Sequence, residues 1–156
     1  MKEDGLMKCG IDPGRFKIGV AFEEDGVLLF SAIVPKEYQD DIAFALKNLT
    51  WDMLSKWGKE GSTAVLAHAC LTSVHIGNGT SSDEIKALLD SGINTEIEDE
   101  RDTTLEGRKL YWKIHPPKGL AKIIPTSLRT PPRDIDDLAA FIIVRRSDFN
   151  TKKPVR

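Results

Sequence analysis

The chain has 156 residues, the size of one domain with a single core. Apolar residues make up 40% and charged residues 29%, the balance of a soluble globular protein. No apolar run approaches the roughly 18 residues of a membrane span, and Met1 to Cys9, with Glu3 and Asp4, is not expected to act as a signal peptide. Two cysteines, Cys9 and Cys70, are too few for a disulfide framework or a cysteine zinc cage, so the expected compartment is the reducing cytoplasm. The net charge of -2 conceals an asymmetry: residues 1–106 hold 20 acids and 10 Lys/Arg, residues 107–156 hold 4 and 12. The second part suits a polyanionic partner and the first does not.

The pattern predicts one domain over 1–146 and a frayed tail over 147–156. Met7 to Asp12, Lys17 to Phe22 and Val27 to Val34 read as strands, with turns at Pro13-Gly14 and Asp25-Gly26, hence an antiparallel meander. Ile42, Leu46, Leu49, Met53 and Trp57 then recur at helical spacing. A strand ends at Val74-His75-Ile76-Gly77, with Leu66 to Thr72 open between helix and strand. A helix starts at Ser82 and stops at Gly92, and Ile93 to Glu98 alternates as a strand. Thr103-x-x-Glu106 fits a capping box at the head of a helix running to about Trp112. A proline-rich loop covers His115 to Pro132, and Asp134 to Arg146 is the last helix, its charges arranged to suit the helix dipole. Strands that alternate with helices pair in parallel, so the expected architecture is α/β: a mixed five-stranded sheet, three antiparallel strands then parallel ones, flanked by helices.

Three groups of acids lie at element ends. Asp12 ends the first strand, Asp99-Glu100 ends the last, and Asp134, Asp136 and Asp137 open the final helix. Asp134 and Asp137, three apart, are expected on one helix face. Each acid alone reads most simply as a backbone cap. Converged, they would need a cation, and oxygen ligands suit Mg²⁺ or Mn²⁺. Two such ions can drive phosphodiester hydrolysis.

Cys9-Gly10-Ile11-Asp12-Pro13-Gly14, followed by Ile18-Gly19-Val20-Ala21, resembles the opening of the RuvC/YqgF group of the ribonuclease H-like superfamily. Asp99-Glu100-Arg101-Asp102-Thr103-Thr104-x-Glu106 is similar to the DER-x-TT-x-E motif of the YqgF branch. Asp136 to Ile143 resembles the terminal helix, and Val74 to Thr80 the fourth strand, of such domains. The resemblance implies a ribonuclease H-like fold and a Mg²⁺- or Mn²⁺-dependent endonuclease on branched DNA or structured RNA. It implies metal ligands among Asp12, Asp99, Glu100, Asp134, Asp136 and Asp137, with Asp12, Glu100 and Asp137 the favoured catalytic set. RuvC proper carries a glutamate at the end of its fourth strand, where this chain reads Gly77-Asn78-Gly79.

Residues 107–133 hold seven Lys/Arg and no acid: Arg108, Lys109, Lys113, Lys118, Lys122, Arg129 and Arg133. With Arg101, they are the expected phosphate contacts, and Tyr111, Trp112 and His115 are candidates to stack on unpaired bases. Junction cleavage would suit a homodimer. Two rival readings are a non-catalytic nucleic-acid-binding module of the YqgF type and a fragment of a sugar-kinase or actin-like ATPase. No membrane partner is expected.

Overall fold

The computed structural model describes residues 5–89, 92–125 and 128–151. Its strands are β1 (Gly5–Pro13), β2 (Lys17–Glu24), β3 (Val27–Pro35), β4 (Gly58–Gly61), β5 (Ala69–Gly77) and β6 (Thr95–Glu98). Its α-helices are α1 (Gln39–Asn48), α2 (Ser82–Leu89), α3 (Thr103–Ile114) and α4 (Asp136–Thr151). The strands form one mixed sheet in the order β4-β3-β2-β1-β5-β6. β1 to β4 pair antiparallel; β5 joins β1, and β6 joins β5, in parallel. The expected five-stranded sheet thus gains a sixth strand. β4 is Gly-Lys-Glu-Gly, four residues without an apolar side chain, so it carries no strand periodicity.

Alternation along the strands divides the two faces. Met7, Cys9 and Ile11 of β1 and Ile18, Val20 and Phe22 of β2 enter the larger core, with Ile42 and Leu46 of α1 and Ile85 and Leu89 of α2. The other face carries Lys8, Gly10 and Asp12, then Gly19 and Ala21, and receives α4. Leu138 to Val144 are all buried, which suits a helix held between the sheet and α3. Two glycines set the approach. A Cβ on Gly10 would stand 2.1 Å from the Ala140 carbonyl oxygen, and one on Gly19 1.9 Å from that of Asp136.

Several expected elements shift. The apolar series from Ile42 to Trp57 is two elements: α1 stops where Leu49 turns left-handed at φ 55°, and a 3₁₀ helix covers Trp51–Trp57. Leu66 to Thr72 is divided between a 3₁₀ helix, Thr63–His68, and β5. The capping box does not form. Thr103 is buried as the first residue of α3, its hydroxyl donating to the Glu100 carbonyl at 2.9 Å, and Glu106 pairs instead with Arg146. α4 begins at Asp136, so Asp134 lies outside it and shares no helical face with Asp137. The expected tail at 147–151 belongs to α4, anchored by buried Ser147 and an ion pair between Lys8 and Asp148. Residues 152–156 lie outside the described part.

A candidate metal and nucleic-acid site

The site starts at the carboxyl end of β1, at the centre of the sheet, where ligands collect in α/β folds. Asp12 is mostly buried there. Its carboxyl is pushed up to about 7, first by burial, then by the charges of Glu100 and Asp136 and a hydrogen bond shared with Glu100. Three chain segments therefore deliver carboxylates to one place: the end of β1, the turn after β6 and the first turn of α4. Burial also raises the Asp136 carboxyl, against the pull of Lys17.

Glycines make room for Glu100. A Cβ on Gly77 would lie 2.7 Å from Glu100 Oε2, and one on Gly79 would lie 3.1 Å from Oε1. Asn78 accepts the Glu100 amide N–H at 3.3 Å, and its own N–H reaches the Glu98 carbonyl at 3.0 Å. The Gly-Asn-Gly turn at the end of β5 is thus the seat of a carboxylate that arrives from the neighbouring strand.

The remaining acids are otherwise engaged. Asp137, favoured from the sequence, is fully buried, accepting from Ser31 Oγ at 2.6 Å and from Arg133 at 2.8 and 3.3 Å. It ties the head of α4 to β3 and is not among the charges that raise Asp12. Asp134 is exposed and paired with Lys17 at 2.5 Å, which holds its carboxyl below the ordinary range. Asp99 is exposed and caps its own turn, accepting the Arg101 amide at 2.9 Å. Asp12, Glu100 and Asp136 are brought together more loosely than a closed coordination sphere. Among the described residues, only His75, Glu96 and Glu98 place three ligand atoms within 4.8 Å.

A cleft of 580 Å³ opens at this point, lined by Asp12, Lys17, Arg108, Arg133, Asp134 and Asp136 among others. Arg133 spans its edge, bonded to Asp137 and, at 2.8 Å, to Glu60 of β4. Arg101, Arg108, Lys109, Lys113, Lys118 and Lys122 are exposed. Arg129 is half-buried, its guanidinium over the Trp112 ring. Of the expected stacking residues, Tyr111 is buried against Trp112 and Arg133, so it presents no face to a base. His115 is held by Glu60 at 2.6 Å. Glu60 and Lys17 escaped the sequence reading, because neither sits in a motif; the charge of each is meaningful only beside its partner.

No family model matches the sequence, and no curated protein matches it. Among solved structures, Thermus thermophilus RuvC is 14% identical and overlaps 96% of this chain and 99% of its own, with a TM-score of 0.43. T. thermophilus RuvC in complex with a Holliday junction substrate is 13% identical, with the same coverage and TM-score. A ROK hexokinase from Thermus thermophilus is 20% identical over 63% of this chain, at a TM-score of 0.40, and this chain spans 35% of its length. Likenesses this low carry no weight for activity.

Proposed function

We propose that this protein is a metal-dependent endonuclease of structured nucleic acid, with a ribonuclease H-like fold of the RuvC/YqgF type. The observation that carries the reading is that Asp12, coupled to the Glu100 and Asp136 carboxylates, lines with Asp136 a cleft also edged by Lys17, Arg108 and Arg133. A largely buried carboxyl whose pKa is raised by two neighbouring carboxylates, as that of Asp12 is, forms a poor resting arrangement unless a cation sits beside it. All three are hard oxygen donors, the set that Mg²⁺ and Mn²⁺ select. We assign Asp12, Glu100 and Asp136 as the residues that would hold it, in place of the set with Asp137. A bound divalent ion supplies charge neutralisation at phosphorus and acidifies water at neutral pH.

The chain's own groups do the rest. Lys17 and Arg108 neutralise phosphates flanking the scissile bond. The exposed cations of α3 and the following loop extend the contact along the backbone. Asp137, Ser31, Glu60 and Arg133 fix the head of α4, so that Asp136 faces Asp12. Gly77 and Gly79 keep the place of Glu100 open. Nothing in this arrangement reads bases, so selection falls on the shape of the substrate rather than its sequence.

A cleavage assay tests this with four-way junction, duplex DNA, single-stranded DNA and structured RNA in Mg²⁺ or Mn²⁺. Wild type should cut, and Asp12→Asn and Asp136→Asn should not. Cutting that survives Asp12→Asn refutes the site. Binding without turnover in the wild type would favour the non-catalytic module.

A further inference from the structure

We propose that His75, Glu96 and Glu98 form a separate binding site for a divalent transition ion of the zinc class, fastening the edge strand β6 to β5. The proposal does not depend on the nuclease reading, since none of the three belongs to the Asp12 cleft.

Register creates the cluster. His75 stands opposite Glu96 and Gly77 opposite Glu98, so both glutamates share a face with the imidazole. His75 Nδ1 lies 2.9 Å from Glu98 Oε1 and 3.6 Å from Glu96 Oε2. The three ligand atoms fall within 4.8 Å of one another. The ring is held on its far side, its Nε2 2.8 Å from Ser73 Oγ, and the His75 side chain is only 4% exposed.

Proton counting shows what the cluster lacks. A neutral imidazole has one N–H. Spent on Ser73, it leaves the Nδ1 lone pair facing two carboxylates. Spent on Nδ1, it serves Glu98 and leaves Glu96, at 3.6 Å, to solvent. An imidazolium brings one positive charge to two negative ones. No Lys or Arg among the described residues forms an ion pair with Glu96 or Glu98, whereas Glu60, Glu84, Glu106, Asp134 and Asp137 each have one. Asp148, within electrostatic reach of His75, adds further negative charge, offset by its pairing with Lys8.

A divalent ion completes the set. It takes the Nδ1 lone pair and one oxygen from each glutamate, and balances their charge. The Nε2 proton then goes to Ser73, the outer-sphere bond that orients a ligating histidine. One nitrogen and two carboxylate oxygens, with a position left for water, suit Zn²⁺ far better than Mg²⁺. The Glu96 side chain, 52% exposed, leaves an entry path. The ion would also steady the four-residue β6, and with it the turn that delivers Glu100.

The test is a calorimetric Zn²⁺ titration of the full chain carrying Asp12→Asn and Glu100→Gln, which disables the cleft. One Zn²⁺ per chain should bind and survive a large excess of Mg²⁺. Adding Glu96→Gln, at an exposed position that the fold tolerates, should weaken binding at least about tenfold. Adding His75→Gln should abolish it. In ¹⁵N spectra of the histidines, Zn²⁺ should move the His75 Nδ1 resonance, leave Nε2 protonated and leave His68 and His115 unchanged. The proposal is overturned if the Asp12/Glu100 variant binds no Zn²⁺ although the wild type does, which would put the ion in the cleft. It is overturned equally if Zn²⁺ binds with undiminished affinity after Glu96→Gln, or shifts a histidine other than His75.

Discussion

Replacing Asp12 with asparagine should stabilise the protein while removing its activity, and the stabilisation should depend on pH. The substitution keeps the side chain's shape and deletes its charge. In the fold, the Asp12 carboxyl is held at about 7 against an ordinary 3.8, by burial and by Glu100 and Asp136. The unfolded chain releases this proton near 3.8 and the folded chain keeps it to about 7. Between those values the folded state binds more protons, so stability falls as pH rises. The penalty is absent below about pH 3.8 and complete above about pH 7. At about 1.4 kcal/mol per pH unit, it reaches about 4 kcal/mol. For a chain of this size, that is on the order of 10 °C in Tm. Urea or thermal unfolding of both proteins in EDTA, from pH 4.5 to 8.5, reads it directly. The curves should converge at the acid end and separate to a plateau above pH 7, with asparagine the more stable. Saturating Mg²⁺ should then raise the wild type and not the variant. Parallel curves, or a less stable variant at pH 8, would refute the account of Asp12 as a carboxylate crowded by two others.

Asp136 and Asp137 should separate cleanly. Asp136→Asn should lose cleavage at unchanged or slightly raised Tm. Asp137→Ala takes one of two carboxylate partners from Arg133, which keeps Glu60, and the acceptor from buried Ser31, and should cost about 1–3 kcal/mol in urea unfolding. Lys17→Met should leave stability within about 1 kcal/mol, since its pair with Asp134 is exposed. It should also raise the NMR-monitored titration midpoint of Asp136, which Lys17 holds down. Gly19→Ala should push α4 off the sheet, because the new Cβ meets the Asp136 carbonyl oxygen at 1.9 Å. A loss of about 1–3 kcal/mol is expected with loss of cleavage, and a variant with wild-type Tm would show that the helix can yield. Arg108→Ala should weaken nucleic-acid binding across all sequences and flatten its salt dependence by about one phosphate contact.

Much of the fold was legible because its signals are local. The short run of Met7 to Asp12 ending in an acid, the Asp25-Gly26 turn and the apolar run of Leu138 to Val144 need no partner to be recognised. The failures were those where a partner decides. β4 has no apolar residue and exists because β3 offers it an edge. Thr103 abandons the capping role because its hydroxyl finds the Glu100 carbonyl across the turn. The break at Leu49 needs a left-handed residue that no glycine announces.

The candidate site shows the same division. That acids stand at three element ends could be read from Asp12, Asp99-Glu100 and the Asp134–Asp137 group. Which of the last group faces Asp12 could not, because the answer depends on where α4 begins. Were the first turn to start at Asp134, Asp137 would follow one turn later on its face. The turn starts instead at Asp136, directly over Gly19, and a helix advances about 100° per residue, so neighbours point apart. Asp136 therefore turns toward the β1 end, while Asp137 points into the sheet, where only a hydroxyl and a guanidinium could receive it. Ser31 and Arg133 do so. The same logic explains why the end of β5 carries glycines rather than an acid. A glutamate at Gly77 would compete for the space that Glu100 fills from the turn after β6, so the two glycines and Glu100 read as one choice about which segment supplies the carboxylate.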